Sequence, residues 1–305
     1  MTEAVLPSVG PWAASTVSAP DVDAVERSYA DWLGYRTVYS GAVSLAQATL
    51  WGAPAMAGKR VVVMEPESGK SSYLRIVENP MPAAYKPLTS FGWASSELCV
   101  QDADGVEARL RKSPFRLIGP AKDLDSYPDI RATQFVGLAG EVFYFTMFKR
   151  KIPGLDLPTA HGLVDRMFIA VLATDGPEKV QAWYQRHFGI KPNPVNTIKL
   201  GLIDDAFGVP PGTLDFGITI VPLKARSLVE VDGYPPRATA RPANAGHLPP
   251  GNAMMTLLVD SLDSLDIDWL APPTELREAP YFGRRAAVTK GAMGELIELV
   301  ERDAS

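Results

Sequence analysis

Apolar and polar residues alternate in short runs along the chain, and helical spacing occurs between these runs. Residues 12–17 alternate, and Val25, Tyr29 and Trp32 then recur at the spacing of a helix that ends at Gly34. This quarter of the chain therefore predicts a strand, a helix and then further strands. The further strand-like runs lie at residues 35–39, 61–64 and 73–77.

The same order recurs in the other three quarters, which predicts an α+β protein built from four βαβββ modules. Helical spacing lies at residues 104–110, 178–187 and 262–270. Strand-like runs lie at residues 94–100, 130–136, 141–148, 167–172, 198–202, 217–221, 227–231, 253–259, 285–289 and 295–300.

Two local motifs recur at almost the same distance along the chain. The helix end at residues 28–35 recurs at residues 183–190, about 155 positions later. A Gly-Glu pair that opens a strand at residues 140–141 recurs at residues 294–295, about 154 positions later. Because the two offsets agree, we predict that the chain is a duplicated unit of about 150 residues.

The duplication divides the chain into an N-terminal domain of two modules, residues 1–150, and a C-terminal domain of two modules, residues 162–305. Residues 151–161 form the linker between them. A second long connection, residues 232–252, contains five prolines and three glycines, which exclude regular structure through most of it. A connection of that length is usually functional or mobile.

Composition excludes several classes of function. The net charge is −5 without a long basic block, so nucleic acid is not expected as a partner. Cys99 is the only cysteine, and residues 1–4 lack the basic start of a secretory signal, so we expect a cytoplasmic protein. Residues 37–58 carry no charge, but glycines and a proline interrupt them, so we interpret them as strands and a turn and expect no membrane span.

The helix end at residues 29–35 and the closing strand at residues 294–298 resemble the vicinal oxygen chelate superfamily, which includes glyoxalase, bleomycin-resistance proteins and extradiol dioxygenases. The resemblance covers nearly the whole chain. It implies that two modules pair their sheets into an open cup that holds the site, so that four modules form two open cup-shaped sheets. It also implies a small-molecule substrate, and it is compatible with a homodimer.

In metal enzymes of this superfamily, the ligands come from the first and last strands of each module. The matching last-strand positions are polar residues among apolar neighbours, so their side chains point to one face of each sheet. They are Arg75, Tyr144, Glu230 and Glu298. No first strand contains a histidine. The positions registered there are Trp12, Ser95, Arg166 and Met254.

We therefore expect Glu230 and Glu298 to face each other near Arg166 in a C-terminal cup, as a base and an acid. Arg166 would hold an anionic oxygen of the substrate. Met254 would line this pocket, and His247, in the long proline-rich connection, could fold over it.

In the N-terminal cup, Arg75 could bind a carboxylate or enolate oxygen, and Tyr144 could donate a hydrogen bond to it. The alternative is a degenerate half that is kept for packing.

The function predicted from these residues is proton transfer next to a carbonyl group by an isomerase or lyase, on an oxygenated and largely apolar molecule. No cofactor is predicted, since the chain contains no Walker loop and no dinucleotide-binding glycine motif. One alternative is a ring-cleaving dioxygenase with a divalent metal (Fe, Mn or Mg) held by Glu298, Glu230 and His247. Another is a small-molecule binding or resistance protein without catalysis.

Overall fold

The computed structural model of the protein describes residues 9–125, 127–152 and 156–303. Residues 1–4, on which the prediction about a secretory signal rests, lie outside the described residues. Within these ranges, no helix combines the length and the apolar composition that crossing a membrane requires.

The first two modules follow the predicted order, with two additional short helices in module 1. Module 1 contains β1 (Val9–Ala19), α1 (Val22–Ser28) continued by a π-helical turn (Tyr29–Leu33), β2 (Tyr35–Ala42), α2 (Leu45–Leu50), a 3-10 turn (Pro54–Met56), β3 (Arg60–Pro66) and β4 (Tyr73–Glu78). Module 2 contains β5 (Gly92–Val100), α3 (Ala103–Leu110), β6 (Arg116–Leu124), β7 (Tyr127–Val136) and β8 (Val142–Phe148).

Module 3 contains two helices, whereas module 4 contains none in its described residues. Module 3 contains β9 (Val164–Thr174), α4 (Pro177–Phe188), β10 (Asn196–Ile198), α5 (Gly201–Ala206), β11 (Phe216–Leu223) and β12 (Ser227–Gly233). Module 4 contains β13 (Gly251–Val259), β14 (Thr274–Glu275), β15 (Arg285–Lys290) and β16 (Leu296–Glu301). The fold class predicted from the sequence, α+β with four modules in two curled sheets, is confirmed.

The modules pair across the two halves of the sequence. Sheet I joins modules 1 and 4 in the order β14-β15-β16-β13-β1-β4-β3-β2. Sheet II joins modules 2 and 3 in the order β10-β11-β12-β9-β5-β8-β7-β6. The first strands make these junctions, because β1 pairs with β13 and β5 with β9, both antiparallel. The expectation that modules 3 and 4 close one cup is therefore wrong.

The connections between modules show how the chain passes between the sheets. The segment between β8 and β9 keeps module 3 in sheet II, directly beside module 2. The connection between β12 and β13 carries the chain from sheet II to sheet I. It contacts both sheets, because Tyr234 packs in the concave core of sheet II and Leu248 in that of sheet I. The division at residues 151–161 marks the sequence repeat and does not separate the two sheets.

The two sheets pack with their convex faces together, and the largest apolar core lies between them. Every second residue of the first strands enters this core, for example Val17 of β1 and Leu98 of β5. Trp12 and Trp93 meet there edge to face, with ring centroids 5.7 Å apart. The opposite, concave faces are therefore available for sites. We call them cup I, in sheet I, and cup II, in sheet II.

The helices at residues 104–110 and 178–187 are confirmed, and Gly189 ends the second with a φ of 65°. The helix predicted at residues 262–270 is wrong. Tertiary contacts take its backbone groups instead: the Leu270 amide donates to Val288, and the Asp268 carbonyl accepts from Thr289.

Two further segments differ from the sequence interpretation. The strand predicted at residues 198–202 ends at Ile198 and is followed by α5. The uncharged residues 37–58 contain helix α2 in addition to a strand, with the Ser44 hydroxyl accepting the Gln47 amide at 3.1 Å as its N-cap.

Candidate functional site

The four last-strand positions singled out in the sequence all lie on the concave faces of the two sheets. Each has a neighbour on the first strand of its own module, in parallel register. In cup I these pairs are Arg75 with Thr16 and Glu298 with Thr256. In cup II they are Tyr144 with Glu97 and Glu230 with Val171.

Glu230 and Glu298 do not face each other, because Glu230 belongs to cup II and Glu298 to cup I. Arg166 stands near the start of β9, and its Nη2 donates to the carbonyl oxygen of Ala225 at 2.6 Å. The predicted arrangement of Glu230, Glu298 and Arg166 is therefore wrong, because it assumed that modules 3 and 4 share a sheet.

Cup I is closed by an ion pair between Arg75 and Glu298. The Nη2 atom of Arg75 lies 2.9 Å from Oε2 of Glu298, and neither side chain is exposed. Further donors on Arg75 are used as well, since Nε and Nη2 bond the Thr16 hydroxyl and Nη1 donates to Tyr281 at 2.7 Å. Thr256 donates to Glu298 at 2.6 Å. The pair is thus enclosed by hydrogen bonds.

Aromatic side chains complete this enclosure. The Arg75 guanidinium lies 4.8 Å from the Trp51 ring centroid, and the Trp51 indole donates to Glu298 at 2.9 Å. Burial alone would lower the pKa of Arg75, but Glu298 and Tyr281 raise it above its usual value. Arg75 is therefore a fixed internal cation and cannot bind a carboxylate or enolate of a substrate without breaking this pair.

Met254 and His247 both belong to the surroundings of cup I. Met254 is fully buried on the concave face, opposite Thr16. His247 is half-buried in the connection before β13, with Nδ1 3.0 Å from the Ala245 carbonyl oxygen. That connection is fixed to module 1, where the Asn79 amide donates to the Leu248 carbonyl at 2.8 Å.

Cup II carries a row of polar groups across four adjacent strands. Tyr144 of β8 is next to Glu97 of β5, which lies opposite Ile169 of β9. Two residues further along β9, on the same face, Val171 is next to Glu230 of β12. Glu97 and Glu230 are therefore separated by one apolar strand.

A third carboxyl group, Asp232, lies two residues beyond Glu230 on the same face of β12. Burial and the negative charge of Glu230 raise the pKa of Glu97 to about 8, although the Thr146 hydroxyl, 2.5 Å from it, acts in the opposite direction. Burial raises the pKa of Glu230 to about 7. Burial and both glutamates raise the pKa of Asp232 as well. Near neutral pH the three groups thus share protons.

Two phenol groups adjoin these carboxyls. Burial raises the pKa of Tyr144 and of Tyr234, and nearby acidic groups raise both further. The Tyr234 hydroxyl and Oδ1 of Asp232 have no hydrogen-bond partner among the described residues, although both side chains are buried. Unpaired polar atoms of this kind are rare in folded proteins and mark a place for another molecule or for water.

Cup II is more open than cup I. The exposed fraction is 7% for Glu97, 9% for Tyr144 and 6% for Tyr234, whereas it is zero for Arg75 and Glu298. Helix α5 packs against the apolar wall of cup II through its buried Ile203. Other members of this wall are Phe148, Phe168, Ile169 and Phe216. The cup therefore combines an apolar wall with a few converging polar groups, as small-molecule sites do.

Glu97 and Asp232 were not among the residues predicted from the sequence. Glu97 was missed because the first strands were registered on a valine, which selected Ser95 in its place. The signal was present, since Glu97 is the only charged residue in the apolar run at residues 94–100. The same criterion had identified Glu230 and Glu298.

The residues at these positions do not fit a transition metal. Each cup has four such positions, two on first strands and two on last strands. In cup I one of them is the Arg75 guanidinium, which is paired with Glu298. In cup II they carry two carboxyl groups, one phenol and a valine. Within the part of the chain that the structure describes, no three histidine, cysteine, aspartate or glutamate side chains are grouped to hold a metal ion. Glu230, Glu298 and His247 in particular are not brought together.

Comparison with known proteins gives matches in structure only. No protein-family model matches the chain, and no curated protein matches it. Glyoxalase I from Zea mays is similar with a TM-score of 0.60 and 12% identity, over 97% of this chain and 93% of that protein. A putative dioxygenase from Bacillus subtilis is similar with a TM-score of 0.59 and 12% identity, over 98% and 87%. The chain therefore has the vicinal oxygen chelate fold, as its repeated motifs predicted.

Proposed function

We propose that cup II is the active site of an enzyme that transfers a proton next to a carbonyl group, as isomerases and lyases do. The substrate is a small, oxygenated and largely apolar molecule. One observation carries this proposal: Glu97 and Glu230 lie on one concave face, across an apolar strand, and both have pKa values raised into the neutral range. Groups with such pKa values exchange protons efficiently at physiological pH.

The two carboxyls take different roles because their surroundings differ. Glu230 is the less buried of the two and acts as the base that removes a proton from the carbon next to the carbonyl. Burial and the charge of the ionised Glu230 both raise the pKa of Glu97, which therefore keeps a proton and acts as the acid. The unpaired Tyr234 hydroxyl donates to the oxygen that becomes negative, which stabilises an enolate.

Cup I has a structural role in this proposal. Arg75 and Glu298 satisfy each other, and neither is exposed, so no substrate group reaches them. Glu298 and Arg166 are therefore not part of the proposed site, whereas Glu230 and Tyr144 are.

Deuterium exchange tests the proposal without knowledge of the natural substrate. Phenylacetone and other aryl ketones are incubated with the protein in D2O, and exchange next to the carbonyl is followed by NMR. We expect E230Q and E97Q each to slow the exchange about 100-fold or more. E295Q is the matched control, since Glu295 is also a buried carboxyl with a pKa raised to about 7 but lies in the turn before β16.

Three results would contradict the proposal. Exchange that continues in E97Q and E230Q at the rate of E295Q would exclude these carboxyls from the chemistry. Stoichiometric iron or manganese that is lost in E97Q would favour a ring-cleaving dioxygenase. Tight binding of a ketone without any exchange, unchanged in E97Q/E230Q, would favour a binding protein.

A further inference from the structure

Cup I shows how this fold encloses an organic cation. The Arg75 guanidinium is held by the Glu298 carboxylate, two hydroxyl groups and the face of Trp51. The cation belongs to the chain itself, and it balances the carboxylate at the equivalent last-strand position of the paired module. The charges of cup I are therefore balanced internally.

Cup II has a carboxyl group at the position equivalent to Glu298 but no cation at the position equivalent to Arg75. Tyr144 stands at the position equivalent to Arg75, and Glu230 stands at the position equivalent to Glu298. Glu97 and Asp232 add two more carboxyls. The electrostatic partners that raise the pKa of Glu97 and Asp232 are other carboxyls, and no basic side chain is among them.

The basic groups around cup II are engaged elsewhere. Arg166, whose charge acts with that of Glu97 on Cys99, donates to the Ala225 carbonyl at 2.6 Å, and two further arginines lie in the connection after β12. Arg241 bonds the Asn252 carbonyl at 2.9 Å and Ser90 at 3.2 Å, and its charge acts on Tyr234. Arg237 is exposed and lies over the ring of Phe207, 4.9 Å from its centroid. Neither side chain forms an ion pair with the carboxyls of cup II in the described part of the chain.

An independent feature indicates that a ligand belongs there. The Tyr234 hydroxyl is buried among Asp232, Glu230 and Tyr144 without a hydrogen-bond partner in the described residues. Its ring packs edge to face on Phe207, with centroids 6.1 Å apart. An aromatic wall beside carboxylates is the surrounding that favours a desolvated ammonium or guanidinium group.

We infer that cup II binds an organic cation, a small molecule with an amino or guanidino group on an apolar body, and that this group contacts Oδ1 of Asp232 and the hydroxyl oxygen of Tyr234, two atoms of the cup that are unpaired in the described residues. The inference rests on the proposed function in that both place the substrate in cup II, and it names the substrate class: an amine or guanidine that also carries a carbonyl. Bound in this way, the cation leaves Glu230 and Glu97 as base and acid, and the Tyr234 O–H still donates to the oxygen.

Charge balance gives this binding a measurable consequence. Glu97 faces the cup from β5, Tyr144 and Thr146 from β8, and Glu230 and Asp232 from β12. Strand β9 contributes only apolar residues there. Arg241, in the connection after β12, acts on Tyr234 through its charge. A bound cation favours the ionised carboxyls, so it releases protons that the free cluster holds.

Calorimetry with small probes tests the inference on the intact protein. We compare 2-phenylethylamine and butylguanidine with the neutral 2-phenylethanol and the anionic 3-phenylpropanoate at pH 7. The cations should bind about tenfold or more tightly than the alcohol. Titrations in two buffers of different ionisation enthalpy should show release of about one proton per cation, and affinity should rise from pH 6 to pH 8.

Variants locate the site. E230Q and D232N should each weaken binding of the cations about tenfold and leave the affinity for 2-phenylethanol unchanged, whereas E295Q should behave as the wild type. Circular dichroism confirms that each variant is folded, and Y234F, which keeps all charges, provides a second measurement if E230Q does not fold.

The inference is overturned if the alcohol or the propanoate binds as tightly as the amines, if neither cation binds up to about 10 mM, or if the cation affinity is independent of pH. Its failure is distinct from that of the proposed function. Cation preference without deuterium exchange overturns only the proposed function. Exchange of neutral ketones without cation preference overturns only the cation site.

Discussion

Glu298 and Glu230 stand at equivalent positions of their modules, but their charges are balanced differently. Glu298 is paired with Arg75 and accepts further bonds from Thr256 and Trp51. Glu230 has two carboxyl neighbours, Glu97 and Asp232, and burial raises its pKa. At the scale of residues, cup II differs from cup I at three of the four equivalent positions, where Tyr144, Glu97 and Val171 stand in place of Arg75, Thr16 and Thr256.

The ion pair in cup I predicts a large loss of stability when one partner is removed. R75M should lower the free energy of unfolding by about 3–5 kcal/mol, because the Glu298 carboxylate is then buried without a counter-charge. Urea unfolding measures this difference. R285M, which breaks an exposed pair with Asp263, should cost about 1 kcal/mol or less.

A double variant separates the cost of the unpaired charge from that of lost packing. R75M/E298L removes both charges and should recover most of the stability that R75M loses. If R75M/E298L is no more stable than R75M, the loss is due to packing around Arg75 and the unpaired carboxylate is not its cause.

The carboxyls of cup II predict a pH dependence of stability. Their pKa values are raised in the folded state, so between about pH 5 and pH 8 the folded state binds more protons than the unfolded state. The free energy of unfolding therefore falls as the pH rises through this window. E97Q removes the contribution of Glu97, so its stability relative to the wild type should rise from pH 5 to pH 8, on the order of 2 kcal/mol.

Urea unfolding at the two pH values measures this effect, with the exposed Glu275→Gln as the control. A difference between E97Q and the wild type that is the same at pH 5 and pH 8 would show that Glu97 is ionised in both states. Its assignment as the proton donor would then be wrong.

At the scale of elements, α5 and the loop after it cover one side of cup II. Asp204 of α5 fixes this loop, because its carboxylate accepts the amides of Gly212 at 2.6 Å, Thr213 at 3.2 Å and Leu214 at 3.1 Å. The side chain is fully buried. The Asp204 carboxylate therefore holds this loop, together with backbone bonds such as that from the Thr213 amide to the Pro210 carbonyl at 3.2 Å.

Removal of this carboxylate should open the loop without changing the strands. In D204A the amides of Gly212 and Leu214 should exchange with D2O about tenfold or more faster, since each loses its acceptor. Hydrogen exchange measured by NMR tests this, with the exposed Asp205→Ala on the same helix as the matched control. Equal protection in D204A and D205A would show that the loop is held by other contacts.

The sequence predicted those elements whose ends are marked by local chemistry. Gly34 and Gly189 both have a positive φ, 70° and 65°, and end helical segments as expected. The residues before each last strand recur because Glu141 and Glu295 each cap the turn that precedes it, accepting the amides of Ala139 and Met293. The helix-ending glycines and the turn-capping glutamates thus identify the fold, and they lie outside both cups.

The register of the first strands could not be obtained in the same way. Their residues are apolar on both faces because one face packs in the central core and the other lines a cup. Alternation therefore does not distinguish the two faces of β5 or β9. Only the lone charge of Glu97 marked the concave face.

At the scale of the whole molecule, each sheet needs one module from each half of the sequence. The junctions are β1 with β13 and β5 with β9, so either half alone would expose the first strands of both its modules. The sequence repeat does not reveal this pairing, because it is equally compatible with cups formed within each half. The cytoplasmic location and the homodimer remain predictions.

This topology predicts that the halves depend on each other. Residues 1–150 and 162–305, when produced separately, should not give stable monomers, whereas the two produced together should form a one-to-one complex. Size-exclusion chromatography and cooperative urea unfolding measure both outcomes. A half that unfolds cooperatively as a monomer would show that the cross-half junctions are not required for folding.

The central claim is that cup II holds the ligand while cup I is closed by its own ion pair. A crystal structure of the protein with bound 2-phenylethylamine tests it most directly. We predict the amine nitrogen within hydrogen-bond distance of Asp232 and Tyr234, with the phenyl ring against the wall of cup II and the Arg75–Glu298 pair intact. Electron density for the amine in cup I, with that pair broken, would contradict the account.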